Sequence, residues 1–263
     1  MILWIASILY ATYACVQIRL VSNKMEPNWL TSILLVLALA ADAFAISHQF
    51  YVTGQGFDLG FFSLFHLIAW FLMLVTLALS FRLQIEKLLI PLAVIAAFNA
   101  GLAAEYGKQY QAYYALSTGI GLHVVISVLG YSVLTLAVLQ ALALWQQEAA
   151  LRNKRLTRIT SVLPPLQSLE RLLFQLLTIG TLLLTLAIAS GLLFMEDIFG
   201  QHLTHKVAFT VLAWATFCAL LIGHHKYGWR GAQAAKWTLA GFVALMLGFY
   251  GTNIVLQLVI GTI

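Results

Sequence analysis

Histidines are the residues of this chain with the clearest capacity for chemistry. Five of its seven histidines fall where the charge pattern places one face of the protein: His48, His66, His123, His202 and His205. A neutral imidazole offers one lone pair to a metal and one N–H that a neighbouring acceptor can orient. A b-type haem held without a covalent link commonly takes two such nitrogens as axial ligands. Five imidazoles on one face therefore favour a metal or haem site there.

Zinc chemistry fits the same residues less well. His202 and His205 have the i, i+3 spacing of one helix face. The chain has no H-E-x-x-H motif, and the only carboxylate pair nearby is Glu196 and Asp197. Catalytic zinc sites in hydrolases typically use such a motif or a comparable ligand set. The pattern argues against a zinc hydrolase.

The remaining candidates for redox chemistry are also weak. His224 and His225 end the seventh predicted helix beside a lysine, where polar or cationic side chains interact with the helix dipole. They have no partner histidine on another helix at that face, which disfavours a dihaem cytochrome b. Cys15 and Cys218 lie inside predicted helices, and the chain has no C-x-x-C or C-x-x-C-H motif. They are interpreted as small buried apolar residues.

The elements that position the histidines are membrane helices. The chain is 62% hydrophobic and 9% charged, with a mean hydropathy of +0.93, whereas soluble domains carry about a quarter charged residues. A spanning helix needs about 20 mainly apolar residues. The predicted spans are 2–20, 30–47, 62–81, 88–104, 120–145, 172–195, 205–225 and 236–259. The fold class is therefore an all-α polytopic membrane protein, an eight-transmembrane-helix bundle that occupies residues 1–263 as a single domain.

Basic residues near the helix ends predict the orientation of this bundle. One face holds 12 of the 14 lysines and arginines, and the other holds only Lys108 and Lys206. The 12 are Arg19, Lys24, Arg82, Lys87, Arg152, Lys154, Arg155, Arg158, Arg171, Lys226, Arg230 and Lys236. Both termini should lie outside (N-out/C-out), and the five histidines share that outer face. The net charge of +5 is thus a topology signal, and no nucleic-acid partner is expected.

Two connections carry further predictions. The outer connection 105–118 spaces Tyr106, Tyr110, Tyr113 and Tyr114 as a short surface helix would; these rings form either an aromatic belt or a roof over a site. The inner connection 146–171 begins as an extension of helix five, carries the densest basic cluster and is interrupted by two prolines. Such a cluster is typical of topology control, of contact with anionic lipids, or of docking to a partner.

Polar residues at membrane depth are costly and mark functional positions. Asp42, Asn99 and Asn253 are the clearest examples. The Asp42 carboxylate has two interpretations: it accepts the distal N–H of a ligating histidine, or it pairs with a neighbouring helix.

Several motifs together resemble one family. They are GLHVVISVLGYSVLTLAVLQAL at 121–142, LPPLQSLERLLFQ at 163–175, LTLAIASGLLF at 184–194, KYGWRG at 226–231 and WTLAGF at 237–242. They resemble the haem-handling cytochrome c assembly family, and more narrowly its HemX-like, YpjD-type inner-membrane branch. The resemblance covers roughly residues 60 to 260.

The resemblance implies an eight-helix bundle related to the CcmC and CcsA haem-handling proteins. An outer-face histidine before the helix that matches helix five is a haem ligand in that family, and His123 matches it. Those proteins carry a W-W-D segment between the helices that match six and seven, where this chain has MEDIFGQHLTHK. The family's second outer ligand has no counterpart beyond helix eight. From their location, His205, His202 or His66 could take its place, with His123 and His205 as the iron ligands.

The functional prediction is a multi-pass protein of the bacterial inner membrane that binds or handles haem in cytochrome c biogenesis. Its cofactor would be non-covalent haem b, held by axial histidine ligation on the outer side without bond-making catalysis, so an enzyme is not expected. Expected partners are haem, cytochrome c assembly components and anionic lipids at the inner face. Two alternatives remain open: a HemX-like regulator or scaffold linked to tetrapyrrole synthesis, and a transporter of small solutes.

Overall fold

Eight helices dominate the computed structural model. It describes residues 2–23, 25, 29–50, 57–58, 60–81, 88–107, 113–114, 118–153, 165–194 and 204–251. The helices are α1 Ile2–Ser22, α2 Trp29–Phe50, α3 Phe61–Ser80, α4 Leu89–Tyr106, α5 Thr118–Arg152, α6 Leu166–Phe194, α7 Thr204–Tyr227 and α8 Gly231–Met246. All eight helices, α8 together with the turn that follows it, are long and apolar enough to cross a membrane. The predicted all-α, eight-helix membrane fold is confirmed.

Helix boundaries differ from the prediction around the inner connection. Helix α5 continues to Arg152, as the expected extension implies. Helix α6 begins at Leu166 rather than at 172. Its first amide groups are satisfied by Pro165, whose carbonyl oxygen accepts hydrogen bonds from the backbone N–H groups of Ser168 and Leu169 at 2.9 and 3.2 Å. Proline is well suited to this position because its fixed backbone angle starts a helix and its missing N–H is not needed there.

Helix α8 begins earlier than predicted and changes its winding at the end. It starts at Gly231 and is followed by a π-helical turn, Leu247–Gly251. Residues 252–263, which include Asn253, lie outside the described residues.

The chain divides into two compact units, which we call unit 1 (Met1–Ser117) and unit 2 (Thr118–Ile263). In unit 1, α1 packs against α2 and α4, and α3 packs against α2 and α4. In unit 2, α5 packs along α6 and also against α8, while α7 packs against α6 and α8. The single membrane domain expected for residues 1–263 stays a prediction.

Unit 1 also contains two short paired strands. Strand β1 (Phe57–Asp58) runs antiparallel to β2 (Tyr113–Tyr114), with Phe57 opposite Tyr114. The expected surface helix is therefore wrong at Tyr113 and Tyr114. Tyrosine favours extended pairing, and cross-strand backbone hydrogen bonds with β1 replace the helical ones. Tyr110 lies outside the described residues.

Small residues let the helices of unit 2 approach closely. A Cβ atom at Gly180 would lie 2.6 Å from Leu134 Cδ2, and one at Gly241 would lie 2.7 Å from Phe217 Cε1. Helix association in membranes relies on such close contact because lipid removes the hydrophobic driving force between helices. These glycines hold α6 against α5 and α8 against α7.

A carboxylate joins α5 to the start of α8 at the end of unit 2 that carries the basic residues. Glu148 Oε2 accepts a hydrogen bond from the Ala232 backbone N–H at 2.5 Å. The residue preceding α8, Arg230, makes no side-chain capping hydrogen bond. Glu148 therefore acts as a cap supplied by another helix, where a negative charge also complements the helix dipole. We call this the inner end of unit 2.

Candidate functional site

His123 lies at the opposite end of unit 2, where α5 and α7 begin and α6 ends; we call it the outer end. The His123 side chain is half-buried, and its Nδ1 is 3.0 Å from Ser190 Oγ on α6. The Ser190 hydroxyl donates its own hydrogen to the Ala187 carbonyl oxygen at 3.0 Å. Because that hydrogen is already used, Ser190 Oγ must accept from His123 Nδ1–H. This chain of hydrogen bonds selects the imidazole tautomer protonated at Nδ1.

The lone pair of His123 is consequently on Nε2. Ser127 Oγ, one helical turn along α5, is 3.4 Å from this nitrogen and can donate only a long hydrogen bond to it. Gly191 lies beside the ring, and a Cβ atom there would be 3.2 Å from His123 Cε1. The imidazole is therefore held against α6 with its coordinating nitrogen weakly engaged.

Lys206 is a second polar side chain at the outer end. It is half-buried in the first turn of α7, at the same end of unit 2 as His123. Its Nζ lies 5.3 Å from the centre of the Phe249 ring, and that ring is 4.9 Å from the ring of Tyr131 on α5. The side chains that contact His123 thus come from α5 and α6, while the outer end of α7 and the π-helical turn are joined through Lys206 and Phe249.

Lys206 is not among the site residues that the sequence predicts. The signal was present, since Lys206 is one of only two basic residues that the charge pattern leaves on the outer face. Ser190 carried no comparable signal, because a serine within a membrane helix has many roles. Its pairing with His123 depends on how α5 and α6 pack.

The other histidines predicted for the outer face differ in burial and location. His205 is exposed at the start of α7, next to Lys206, and forms no hydrogen bond or ion pair within the described part of the chain. His202 lies outside the described residues. His48 is exposed near the end of α2, and His66 is buried in unit 1. The ligand roles of His123, His205, His202 and His66 all stay predictions.

Unit 1 has its own polar cluster at membrane depth. His66 Nε2 on α3 is 2.9 Å from Asp42 Oδ1 on α2, and both side chains are 1% exposed. This is ion-pair distance, although the two atoms are not aligned for a hydrogen bond. The Tyr10 hydroxyl on α1 donates to Asp42 Oδ2 at 3.2 Å. Asp42 therefore joins α2 to α1 and α3, as the interpretation of pairing with a neighbouring helix predicts, and a role toward a ligating histidine stays a prediction.

Four buried polar atoms of this region have no hydrogen-bond partner among the described residues. They are His66 Nδ1, Asn99 Oδ1, and the ion-paired atoms Asp42 Oδ1 and His66 Nε2. The Asn99 amide nitrogen donates to the Phe65 carbonyl oxygen at 3.3 Å. Burial of unpaired polar atoms lowers the stability of a protein. Ionisable residues kept at membrane depth despite this cost mark functional positions.

The inner-face histidines make local contacts. His224 Nδ1–H donates to the Trp229 carbonyl oxygen at 2.9 Å, and its ring stacks on Phe174 with centres 3.5 Å apart. His225 Nδ1–H donates to the Leu221 carbonyl oxygen at 3.0 Å. Both side chains thus bind backbone carbonyls near the end of α7, which suits the structural interpretation of this pair.

Within the described residues, no group of three or more histidine, cysteine, aspartate or glutamate side chains is placed to hold one metal ion. A structural or catalytic zinc ion usually needs at least three protein ligands. Haem iron receives its equatorial nitrogens from the porphyrin and needs only axial ligands from the protein.

A family model described as "Cytochrome C assembly protein" matches residues 32–260. This chain belongs to the cytochrome c assembly protein family. The resemblance seen in its motifs is thereby confirmed, and the match begins earlier than the expected residue 60. No solved structure matches the chain.

Several curated proteins are similar to this chain. Inner membrane protein YpjD of Escherichia coli strain K12 is 35% identical over 173 residues, 65% of each chain. The cytochrome c biogenesis protein CcsA of Prochlorococcus marinus strain MIT 9303 is 28% identical over 100 residues, 37% of this chain and 31% of the relative. Protein HemX of Brevibacillus brevis is 24% identical over 131 residues, 49% of this chain and 48% of the relative.

These likenesses fix the branch and the location. The chain spans 65% of the length of the YpjD proteins that it matches. Together with eight helices able to span a membrane, they identify a multi-pass protein of the bacterial inner membrane.

Proposed function

We propose that this protein binds haem b non-covalently at the outer end of unit 2, with His123 Nε2 as an axial ligand, as part of cytochrome c assembly. The hydrogen-bond chain from His123 through Ser190 to Ala187 carries the proposal. Histidines that ligate metals almost always donate their other ring N–H to an acceptor, which fixes the tautomer and raises ligand basicity. His123 already has this arrangement.

The second axial ligand in this proposal is a histidine of the same face. His205 is the leading candidate in unit 2 because it begins α7 beside Lys206, and its exposed side chain has no competing partner within the described residues. His202 and His66 are the other sequence candidates. The bound group would supply an iron centre for transfer or storage, while the protein residues bind and orient it without making or breaking covalent bonds.

The test is an optical spectrum of the purified protein in detergent, oxidised and then reduced with dithionite, after expression with added haem. We expect a Soret band with sharp visible bands in the reduced form. His123→Ala should abolish these bands or weaken haem affinity at least about tenfold. His225→Ala is the matched control, since it removes an imidazole from the other end of α7. A wild type without haem absorbance, or a His123→Ala variant indistinguishable from it, overturns the proposal.

The HemX-like branch that the motifs of this chain resemble implies a second candidate function, a regulator or scaffold linked to tetrapyrrole synthesis, and the chain is 24% identical to Protein HemX over 131 residues. In it, the basic inner connection would dock a cytoplasmic partner. Co-purification of one soluble protein, lost when Arg152, Lys154, Arg155 and Arg158 are neutralised together, would favour this function. Haem binding by the wild type without any such partner would argue against it.

The cluster in unit 1 supports a third candidate, transport of a small solute. Buried ionisable groups such as Asp42 and His66 often mark the path of ions or substrates in membrane proteins. Solute uptake into liposomes that depends on these residues and is indifferent to His123 would favour transport.

Anionic lipid is the proposed partner at the inner end. Arg152 and Lys236 line a surface cavity of about 200 Å³ together with Trp145 and Glu148. Cations beside an interfacial tryptophan suit a lipid phosphate group. Binding of phosphatidylglycerol that weakens when Arg152 and Lys236 are both changed to Gln would support this partner, and unchanged binding would exclude this cavity.

A further inference from the structure

Lys206 has an unfavourable position for a cation. It is in the first turn of α7, where the backbone N–H groups and the helix dipole give a partial positive charge. It also lies on the face that the charge pattern keeps nearly free of basic residues. Neither local helix electrostatics nor membrane topology accounts for a lysine here.

The surroundings of Lys206 only partly compensate for its charge. Within the described residues the Lys206 ammonium group has no ion pair. Its Nζ lies 5.3 Å from the centre of the Phe249 ring. A cation–π contact holds the side chain but leaves its hydrogen-bonding capacity largely unused. A half-buried ammonium group in such a place is suited to receive an anion.

The backbone beneath Lys206 is held in place. The Thr210 hydroxyl donates to the Lys206 carbonyl oxygen at 2.8 Å. A Cβ atom at Gly248 would lie 3.2 Å from the same oxygen, so the π-helical turn approaches α7 closely at this point. Packing against the π-helical turn therefore fixes the backbone from which the Lys206 side chain leaves α7, and Nζ lies beside the Phe249 ring of the same turn.

We propose that Lys206 binds a carboxylate of the same molecule that His123 ligates, so that the outer end of unit 2 selects a tetrapyrrole with free acid side chains. The proposal rests on the proposed function. Haem b carries propionate carboxylates along one edge of its ring, and axial ligation alone leaves the rotation of that edge free. A charge-assisted hydrogen bond from Lys206 sets the rotation and discriminates against neutral tetrapyrroles.

The experiment compares two ligands on the purified full-length protein. Haem and its dimethyl ester share the iron and the ring, but the ester has no free carboxylate. Optical titration of the wild type should give an affinity for haem at least about tenfold higher than for the ester, the scale expected of a hydrogen bond to a charged group. Raising the salt concentration should bring the affinity for haem closer to the affinity for the ester, because salt screens the charge of Lys206.

Variants assign this preference to Lys206. Lys206→Gln should lower haem affinity about tenfold, leave ester affinity unchanged and leave the absorption maxima in place. Lys206→Arg should keep the preference for haem. Lys108→Gln is the matched control, because it removes the other outer basic residue, and it should behave like the wild type.

The outcomes separate this inference from the proposed function. If His123→Ala abolishes binding but Lys206→Gln changes nothing, the proposed function stands and the role of Lys206 is refuted. A structural role, such as pairing with Glu196 or Asp197, would change the affinities for haem and ester equally and also refutes it. If the wild type binds neither ligand, or if His123→Ala binds both normally, the proposed function and this inference fail together.

Discussion

Ser190→Ala gives a sharp test of how His123 is prepared for coordination. In the wild type, Ser190 Oγ accepts the His123 Nδ1–H at 3.0 Å and donates to Ala187 at 3.0 Å. Without that acceptor, the tautomer protonated at Nε2 can donate to Ser127 Oγ, which is 3.4 Å away. That tautomer has no lone pair on the coordinating nitrogen.

The expected magnitude follows from similar orienting contacts in metal sites, whose loss typically costs about 10- to 100-fold in affinity. This corresponds to about 1.4 to 2.7 kcal/mol of binding free energy. The free energy of unfolding should fall by about 1 to 3 kcal/mol, because the buried Ser190 hydroxyl makes two hydrogen bonds, one with His123 and one with Ala187, each worth about 0.5 to 1.5 kcal/mol. Haem titration and thermal unfolding in detergent measure the two quantities separately.

Ser127→Ala is the matched control, and it should not lower haem affinity as Ser190→Ala does. It removes a hydroxyl that competes for Nε2, so haem affinity should stay the same or rise. In the double variant, the alternative tautomer has lost its acceptor, so part of the affinity lost in Ser190→Ala should return. The reasoning is refuted if Ser190→Ala binds haem like the wild type while Ser127→Ala weakens binding.

Three further predictions concern the stability of each unit, measured as unfolding in detergent. Asp42→Ala should destabilise the protein by about 3 to 5 kcal/mol, because it leaves His66 buried without its carboxylate; Tyr10→Phe should cost only about 1 kcal/mol, and equal losses would contradict this ranking. Glu148→Ala removes the cap on α8 and should cost about 0.5 to 2 kcal/mol, so an unchanged midpoint would show that the cap contributes nothing. Gly231→Ala should cost about 1 kcal/mol or more, because Gly231 has a φ of 54° and an added Cβ would press on the Glu148 carboxylate. At Gly228, where φ is 68° and the described residues leave open space, only the backbone strain remains, and a larger loss there than at Gly231 would disprove the steric argument.

The polar cluster of unit 1 and the surroundings of His123 in unit 2 differ in how far the sequence predicts them. Asp42 and His66 both stand out in the sequence, since ionisable residues are rare in membrane helices, but nothing in their spacing indicates that they pair with each other and with Tyr10. His123 was singled out through its outer-face position and the family motif. Its orientation by Ser190 depends on how α5 packs against α6.

The hydropathy pattern is enough to predict the number of helices, their approximate bounds and the membrane setting. These properties are local, because hydrocarbon forces every apolar run of sufficient length into a helix that satisfies its own backbone. Which faces of those helices meet depends on tertiary packing. A helix that is apolar on all sides carries little information about its rotation, so the contacts of His123 with α6 and of Asp42 with α1 and α3 depend on packing between small and large side chains. The β1–β2 pair and the early start of α6 after Pro165 likewise depend on backbone hydrogen bonds that no hydropathy pattern records.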